Sequence, residues 1–575
     1  MSGLDWAIVG AYMAGTLAIG IWLARRASGS LVEFFVSGRS LPWWLAGTSM
    51  AATTFSVDTP LYVTGLVARR GIAGNWEWWA FALSHLLLIY LFARLWRRAE
   101  VVTDAELTEI RYGGRPAAVL RGFRAFLFAV PINCIAIGYV MLAMRKVMEA
   151  LGVLGALPPW LPGDERLWVV VGLSVFVMVY AGISGLWGVV ATDFFQFGLA
   201  MLGALLVAGF AIADIGGLAA LKEGVIAAGR ADALRLVPRP GSPDLPMGTF
   251  LAYLGIQWWA WRRSDGGGEF VQRMSACRTE RDAEGAAWLF NLLHYVVRAW
   301  PWILAALAAL VVFPDLADPE MGYPLLMLEY LPAGVLGIVV ASFVAAFMST
   351  VSTQINWGAS YIVNDLYARF VDADASQRRL VALGRLASAV IVAAGGAAAF
   401  YARDIGTVFR FMIAIGTGPG AVLILRWFWW RVNAWAELAG MLGGFAIALL
   451  SYLPAFGGMG FGLRLAVTAF GAAAIWIPVM LLTPPESEAT LERFYRRVRP
   501  AGPGWRRFRA RTGLDPDASL AQDLLRTVAA AMLLFGGMFA LGGALLLEPR
   551  VALGAALVAA IGGTTLRRTR TWKTA

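Results

Sequence analysis

The sequence is poor in the residues that build disulfide frameworks and metal clusters. Its 575 residues include only two cysteines and two histidines. Cys134 and Cys277 are too few for a disulfide scaffold. His85 and His294 are too few and too scattered for a metal cluster. We therefore expect no bound cofactor, and we interpret both histidines as helix-packing residues.

Charged residues are scarce as well. They make up 15% of the chain, whereas hydrophobic residues make up 59%, above the roughly 45–50% of a soluble protein. The apolar residues form runs of roughly 18–25, long enough to cross ~30 Å of hydrocarbon as helices. The composition predicts an all-α polytopic protein embedded in a lipid bilayer.

The net charge of +11 does not indicate a nucleic-acid partner. The basic residues cluster in alternate loops, which is the bias of cytoplasmic loops in membrane proteins. The first apolar run ends in Arg25 and Arg26 and lacks a basic segment before it, so we expect a true span and not a cleaved signal. The pattern predicts a plasma (inner) membrane protein with its N-terminus outside and its C-terminus in the cytoplasm.

Fourteen or fifteen transmembrane helices are predicted, with the last segment short enough to leave the count open. The predicted spans are 4–24, 43–68, 76–96, 123–148, 167–184, 186–213, 247–262, 287–313, 332–364, 380–401, 406–429, 434–456, 461–482, 522–547 and 551–566. The basic cytoplasmic loop 484–520 contains a predicted helix from Ser487 to Arg499. We interpret it as a surface helix near anionic headgroups, with a regulatory role as the alternative.

Polar residues inside apolar spans are costly and therefore informative. The second span contains SMAATTFSVDTP, which places a carboxylate at Asp58 and a helix breaker at Pro60. Pro60 lacks an amide hydrogen, so we expect a free carbonyl one turn earlier, near Ser56. A broken helix exposes oxygens that suit a hard cation. A simple proline kink satisfied by hydroxyls is the alternative, but it does not explain Asp58.

The ninth span carries a second polar run, MSTVSTQIN. Ser349 and Thr350 are adjacent hydroxyls, and the carbonyl of Ala346 lies one turn back, so three oxygens can face one cation. A small-residue helix interface is the alternative. Asn356 continues the polar run and is a candidate for solute contact.

Two further groups keep two interpretations each. Asp193, in ATDFFQF, is either an inner cation relay or a helix-start carboxylate at the interface. Gln257 and three tryptophans, Trp258, Trp259 and Trp261, either line a solute cavity together, or the tryptophans form an interfacial belt. Interrupted spans at matching positions of two inverted halves are typical of midplane sites in secondary transporters. The second and seventh spans fit that pattern.

Five segments together resemble the sodium:solute symporter family, in family order over about residues 30–450. They are EFFVSGRSLPWWLAGTSMAATTFS, GLWGVVATDFFQ, EFVQRMSACRTERDA, AAFMSTVSTQINWGASYIVNDLY and RWFWWRVNAWAELAGMLGG. The resemblance implies a leucine-transporter-like fold with two inverted five-helix repeats. WAWRRSDGGG is longer than the matching segment of sugar transporters, and Thr54 stands where some members carry Asn or Asp.

The resemblance also implies a sodium site and a solute site. Sodium would bind the carbonyls of Ala52, Phe55 and Ala346 and the hydroxyls of Ser349 and Thr350. Asp193 matches a carboxylate that assists sodium release, and Asp58 and Thr59 match solute-contacting positions.

The predicted domains follow from this assignment. Residues 1–42 are an extra helix and a loop, 43–213 the first repeat, 214–246 an extracellular loop, 247–430 the second repeat and 431–575 accessory helices.

We therefore predict a secondary active transporter that moves a small organic solute into the cell with sodium, by alternating access. A solute that carries an amine or several hydroxyls suits Asp58 better than a simple monocarboxylate. A proton-coupled symporter of the same fold is the first alternative, because Asp58 and Asp193 can both titrate. A transporter-like sensor is the second, although the chain after residue 566 is too short for a signalling domain. The intramembrane His, Cys and Glu residues are too sparse for an enzyme.

Overall fold

The computed structural model describes residues 1–23, 31–152, 165–401 and 404–569. Within these residues every regular element is a helix, and only isolated bridges join extended residues. The all-α prediction is confirmed. Arg25, Arg26 and the last six residues, on which the predicted orientation partly rests, lie outside the described residues.

Eight helices of the described chain are long and apolar enough to cross a membrane, and a bent pair adds a ninth. The eight are Gly114–Ala150, Leu186–Ile215, Glu280–Val312, Val335–Phe370, Gln377–Ala399, Phe461–Leu482, Leu520–Leu545 and Pro549–Arg568, and the bent pair is Ile72–Trp79 with Ala82–Ala99. Further helices are Gly3–Leu23, Leu31–Val36, Leu107–Arg111, Leu218–Ala227, Gly322–Tyr330, Ile405–Gly416, Gly420–Phe428 and Ala434–Leu450. The predicted count of fourteen or fifteen spans stays a prediction.

The predicted second span is two half-helices, Trp43–Thr53 and Asp58–Arg70, which we name the first broken helix. Thr54 to Val57 form the break. Pro60 lies in the first turn of the second half, where a missing amide hydrogen costs no helical bond. The Ser56 carbonyl accepts the Thr59 N–H at 3.1 Å. The expected break is confirmed, whereas the expected free carbonyl at Ser56 is wrong because this short turn occupies it.

The predicted seventh span is broken too. Its first half covers 247–260 and its second half is Glu269–Ala276; we name the pair the second broken helix. Gly266 and Gly268 in the break have φ of +80° and +81°, which L side chains rarely adopt. The triple glycine therefore permits the interruption.

Residues 165–215 differ from the predicted pattern. We predict separate spans at 167–184 and 186–213, whereas the structure has one helix of 51 residues, Glu165–Ile215. No proline interrupts this segment, so nothing in the sequence forces a helix end. At 1.5 Å per residue the helix is ~75 Å long, more than one bilayer crossing requires. Its apolar window, Leu186–Ile215, matches the second predicted span.

The helix Val335–Phe370, which we name the polar helix, lies at the centre of the fold. It packs against Glu165–Ile215, Gln377–Tyr401 and Trp43–Thr53. Most of its residues are buried, and many of them are Ala, Gly and Ser. Small residues let neighbouring backbones approach closely where no hydrophobic force drives helices together in lipid.

The loop 484–520 is folded against the helix ends. Its first helix, Glu488–Val498, is capped by Ser487, whose hydroxyl accepts the Thr490 N–H at 3.2 Å. The predicted helix is therefore confirmed. A second helix, Arg506–Thr512, follows. The Arg111 guanidinium lies 5.3 Å from the Phe494 ring and 5.2 Å from the Trp505 ring, so the loop also packs against the protein body.

Buried ion pairs fix the helix ends beside the second break. Glu437 accepts hydrogen bonds from Arg124 at 2.7 Å, from Arg426 at 3.1 Å and from Tyr112 at 2.9 Å. Arg426 also donates to Asp265, in the break, at 2.6 Å. All of these side chains are buried. Because a buried charge needs compensation, the network holds the break in one position.

Glu437→Gln removes the charge that two buried arginines share. We expect the free energy of unfolding to fall by about 3–5 kcal/mol, measured by denaturant unfolding in detergent micelles. Glu492→Gln is the matched control, because Glu492 pairs with the exposed Arg496, and it should cost less than about 1 kcal/mol. Equal effects of the two variants would contradict a stabilising network.

Candidate functional site: a polar cavity at two helix breaks

A buried network joins the first broken helix to the polar helix. Asp193 accepts the Ser49 hydroxyl at one carboxylate oxygen and the Ser349 hydroxyl at the other, both at 2.5 Å. The Thr350 hydroxyl donates to the Thr53 carbonyl at 3.0 Å. All five residues are buried. The interface interpretation of Asp193 is therefore wrong, because its carboxylate is 0% exposed and lies among packed helices.

Arg273 completes this network from the second broken helix. Its guanidinium lies 3.9 Å from the Asp193 carboxylate and donates to Thr353 at 2.6 Å and to Ser49 and Thr53 at 3.2 Å. It is 0% exposed. Sequence reasoning used EFVQR only as a family motif and missed this role. The signal that could have found this role was an arginine placed shortly after a predicted helix break.

Part of the expected cation site lies at this network. The hydroxyls of Ser349 and Thr350 each donate their one hydrogen, to Asp193 and to the Thr53 carbonyl, and keep lone pairs that can accept a cation. The Ala52 carbonyl accepts the Phe55 N–H at 2.9 Å, which leaves a second lone pair. Ala346 is buried on the same helix as Ser349.

A cavity of about 160 Å³, which we name the central cavity, lies where the two helix breaks meet. This volume is below the roughly 300–1,000 Å³ of drug-sized pockets, so it suits a small solute. Asp58 and Thr59 of the first broken helix line it, as do Trp261 and Glu269 of the second. Trp261 is thus part of the cavity, not of an interfacial belt; its ring lies 4.3 Å from that of Phe81.

The other expected solute contacts are not among the lining residues of this cavity. The Gln257 amide donates to the Glu77 carbonyl at 2.6 Å. The Trp258 indole donates to the Leu254 carbonyl at 2.8 Å. Asn356 accepts a 3.4 Å hydrogen bond from Gln272. The solute roles of Gln257, Trp258 and Asn356 therefore stay predictions.

Both histidines line the cavity, a position that their interpretation as helix-packing residues did not predict. A ring nitrogen of His294 lies 3.0 Å from the Thr54 hydroxyl, and one of His85 lies 2.7 Å from the Tyr295 hydroxyl. Among the described residues no three His, Cys, Asp or Glu side chains group as a metal site. The histidines thus add polar contacts to the cavity.

Many buried polar atoms around the cavity have no hydrogen-bond partner in the described protein. They belong to Ser56, Asp58, His85, Trp261, Arg262, Arg263, Glu269, Arg298 and Gln354. A buried polar atom without a partner costs roughly 1–3 kcal/mol. So many in one place indicate a site for a polar ligand.

A second cavity, of about 300 Å³, adjoins the first and shares Tyr62 with it. The rings of Tyr62 and Phe409 lie 4.9 Å apart, and the Tyr62 hydroxyl donates to Glu77 at 2.7 Å. This aromatic pair stands at the boundary of the two cavities. Arg69, Arg70 and Arg410 line the second cavity.

Comparison with known proteins gives consistent matches. A family model described as the sodium:solute symporter family matches residues 34–444. A sodium/glucose cotransporter of Vibrio parahaemolyticus is 25% identical over 486 residues, which cover 79% of this chain and 86% of that protein. A human sodium/myo-inositol cotransporter 2 is 25% identical over 498 residues, covering 78% and 70%. A bovine sodium/mannose cotransporter is 26% identical over 484 residues, covering 77% and 78%.

A solved structure confirms the fold. A Na⁺-coupled sialic acid symporter in a substrate-bound, outward-open state superposes with a TM-score of 0.67 at 20% identity. The match covers 85% of this chain and 99% of that one. The leucine-transporter-like architecture that the sequence implies is thus confirmed, and the inverted relation of its two repeats stays a prediction.

Asp193 and Arg273 should be energetically coupled, since each compensates the buried charge of the other. We expect Asp193→Asn with Arg273→Gln to destabilise less than the sum of the single variants, by about 0.5–3 kcal/mol. Denaturant unfolding of the wild type and the three variants in micelles measures this. Additivity within about 0.3 kcal/mol would mean that the two charges do not interact.

Proposed function

The chain belongs to the sodium:solute symporter family, and we propose that it carries a small polar solute into the cell with sodium through the cavity at its two helix breaks. As a member it is a multi-pass membrane protein and a sodium-coupled symporter; its relatives are transporters, not enzymes. The observation that carries the proposal is the position of the cavity. It lies at both breaks and shares Thr53 and Thr350 with the buried network at Asp193.

We propose that sodium binds between the first broken helix and the polar helix. The carbonyls of Ala52, Phe55 and Ala346 and the hydroxyls of Ser349 and Thr350 would supply five oxygens, the ligand type that a hard cation prefers. The orientation of the two hydroxyls supports this set, because both hydrogens already point to other acceptors.

Asp193 is proposed to assist sodium release. Its carboxylate accepts a hydrogen bond from the Ser349 hydroxyl, so it lies one bond from a proposed ligand. A sodium ion that leaves Ser349 would meet this negative charge next. Arg273 would limit how long the ion stays, because its guanidinium already compensates Asp193.

The proposed solute contacts are Asp58 and Thr59. Asp58 is buried, and one of its carboxylate oxygens has no partner in the described protein, so it can accept a hydrogen bond from a solute. Gln257, Trp258 and Asn356 would join the contacts only if the helices rearrange. Glucose, myo-inositol and mannose, named for the relatives, are the first solutes to test.

Coupling follows if each ligand binds better when the other is present. Sodium would order the break at Thr54 to Val57, which also presents Asp58 and Thr59 to the cavity. Inward movement of each sodium ion contributes about 2.3 kcal/mol per 100 mV of membrane potential, in addition to its concentration gradient. Uptake would occur by alternating access of the cavity to the two sides.

We further propose the plasma membrane as the location, with the N-terminus outside and the C-terminus in the cytoplasm. The proposed division of the chain is 43–213 and 247–430 for the two repeats, with 1–42, 214–246 and 431–575 as flanking or accessory segments. Basic residues in alternate loops support the orientation. The helix Leu218–Ala227 lies in the proposed extracellular segment 214–246.

Ser349→Ala combined with Thr350→Ala tests the sodium site without a known solute. Loss of two oxygen ligands should raise the sodium concentration for half-maximal thermal stabilisation about tenfold or more, since tenfold corresponds to ~1.4 kcal/mol. Potassium and choline at equal ionic strength are the controls. Ser388→Ala is the matched variant, a buried helix serine whose hydroxyl donates to the Gly384 carbonyl. An unchanged sodium dependence of the double variant would remove these hydroxyls from the site.

Asp58→Asn tests the solute site. We expect it to abolish sodium-driven uptake of any solute that the wild type transports, because an amide cannot supply the carboxylate charge. Elution as a monodisperse peak and retained stabilisation by sodium alone would show that the variant is folded. Wild-type uptake in this variant would exclude Asp58 from solute binding.

A further inference from the structure

The charges around the central cavity do not balance within the described protein. Two acids, Asp58 and Glu269, and three arginines, Arg262, Arg263 and Arg298, line it. Arg263 forms an ion pair with Glu269. Two arginines and one carboxylate then remain without an ion pair among the described residues.

Arg298 is a buried cation held at the edge of the cavity. It is 1% exposed, and one terminal nitrogen donates to the Ala51 carbonyl at 2.8 Å while the other contacts the His294 ring. Its Nε has no hydrogen-bond partner among the described residues. Its guanidinium lies 5.3 Å from the Trp302 ring. These contacts orient the guanidinium. Asp58 acts on it electrostatically, but no carboxylate among the described residues forms an ion pair with it.

Arg262 is a second such cation, from the break of the second broken helix. It is 3% exposed. Its guanidinium lies 5.3 Å from the Phe128 ring and 5.7 Å from the Trp261 ring. Aromatic faces attract a cation only weakly compared with an anion, and in the described part of the chain the Nε of Arg262 also lacks a hydrogen-bond partner. Burying a charge is costly unless it is paired, so two unpaired guanidiniums in one cavity favour an anionic ligand.

The second cavity adds an independent observation. Beyond the Tyr62–Phe409 pair it presents Arg69, Arg70 and Arg410. Arg70 and Arg410 lie 2.7 and 3.9 Å from the Glu77 carboxylate, and Arg69 lies 3.6 Å from Asp404. One positive charge is in excess, and Arg69 is 42% exposed. A concave positive surface raises the local concentration of anions, so the second cavity favours an anion, as the first cavity does.

We propose that the transported solute carries a carboxylate-type anionic group, held by Arg298 and Arg262, together with an ammonium or hydroxyl group that donates to Asp58. The inference rests on the proposed function. An amino acid or an acidic sugar has both groups. A neutral sugar would donate a hydrogen bond to Asp58 but leave both arginines without an anion. A simple monocarboxylate would pair with the arginines but leave Asp58 without a donor.

The experiment compares solutes that differ only in the acid. Purified protein in sodium is screened by thermal shift with glucuronate against glucose, galacturonate against galactose, proline against prolinamide and serine against serinamide. We expect at least one acid to stabilise the protein more in sodium than in potassium, and its neutral or amide partner to bind at least tenfold more weakly. The inference is overturned if the solutes that stabilise are the uncharged or cationic ones, or if no acid in the panel stabilises.

Arginine variants localise the effect. Arg262→Gln and Arg298→Gln should each weaken binding of the acid about tenfold or more, the range for a hydrogen bond to a charged group. Each should also reduce the ratio between the affinity for the acid and the affinity for its matched neutral or amide solute. Arg464→Gln is the control, since Arg464 is similarly buried but lies outside the cavity, bonded to Ser451. Selectivity for the acid that is unchanged in both cavity variants would refute the assignment.

The two proposals fail in different ways. Loss of any sodium-dependent stabilisation in the wild type would contradict the proposed function itself. Sodium-dependent binding of glucose but not of glucuronate would leave the proposed function intact and remove only the anionic group.

Discussion

The buried interaction of Asp193 with Arg273 is the constraint on which the arrangement of the central helices depends. In a bilayer neither charge can be left alone without a large penalty, so the helices that carry them must stay together. Asp193 also holds Ser49 and Ser349, and Arg273 also holds Thr353. One ion pair with its hydroxyl partners therefore connects both broken helices, the polar helix and the helix Glu165–Ile215.

This connection explains why two helix breaks are tolerated at this place in the membrane. A broken helix leaves backbone groups that need partners, and in a membrane such groups are tolerated only where protein or a polar cavity surrounds them. Both breaks meet at the central cavity, where buried polar atoms remain without protein partners. The buried Glu437 network holds the far side of the second break. The Asp193 and Glu437 networks thus fix the helices on two sides of the cavity. Ligands that bind in the cavity can therefore change the relative free energies of the protein's conformations.

The sequence predicted the helical membrane fold, the first break and a buried carboxylate at Asp58, because each has a local signal; the solute role of Asp58 stays a prediction. Apolar runs reveal spans, and a carboxylate next to Pro60 inside such a run stands out. Arg298, His294 and Arg262 give a weaker signal. Arg298 and His294 lie inside the predicted span 287–313, where a polar residue is informative, but nothing in the local sequence shows which helices they face. Arg262 precedes a glycine-rich loop and resembles a cytoplasmic basic residue. Only tertiary packing brings these residues to one cavity.

Transport into proteoliposomes under separately imposed ion gradients tests the central claim most directly. Vesicles containing the protein would receive an inward sodium gradient or an inward proton gradient at the same clamped potential. Uptake of labelled glucose, myo-inositol, mannose, glucuronate and proline would be followed, with empty vesicles as the control. We predict that the sodium gradient drives uptake of at least one of these solutes and that the proton gradient alone does not. Uptake driven by protons and unaffected by sodium would contradict the proposed coupling.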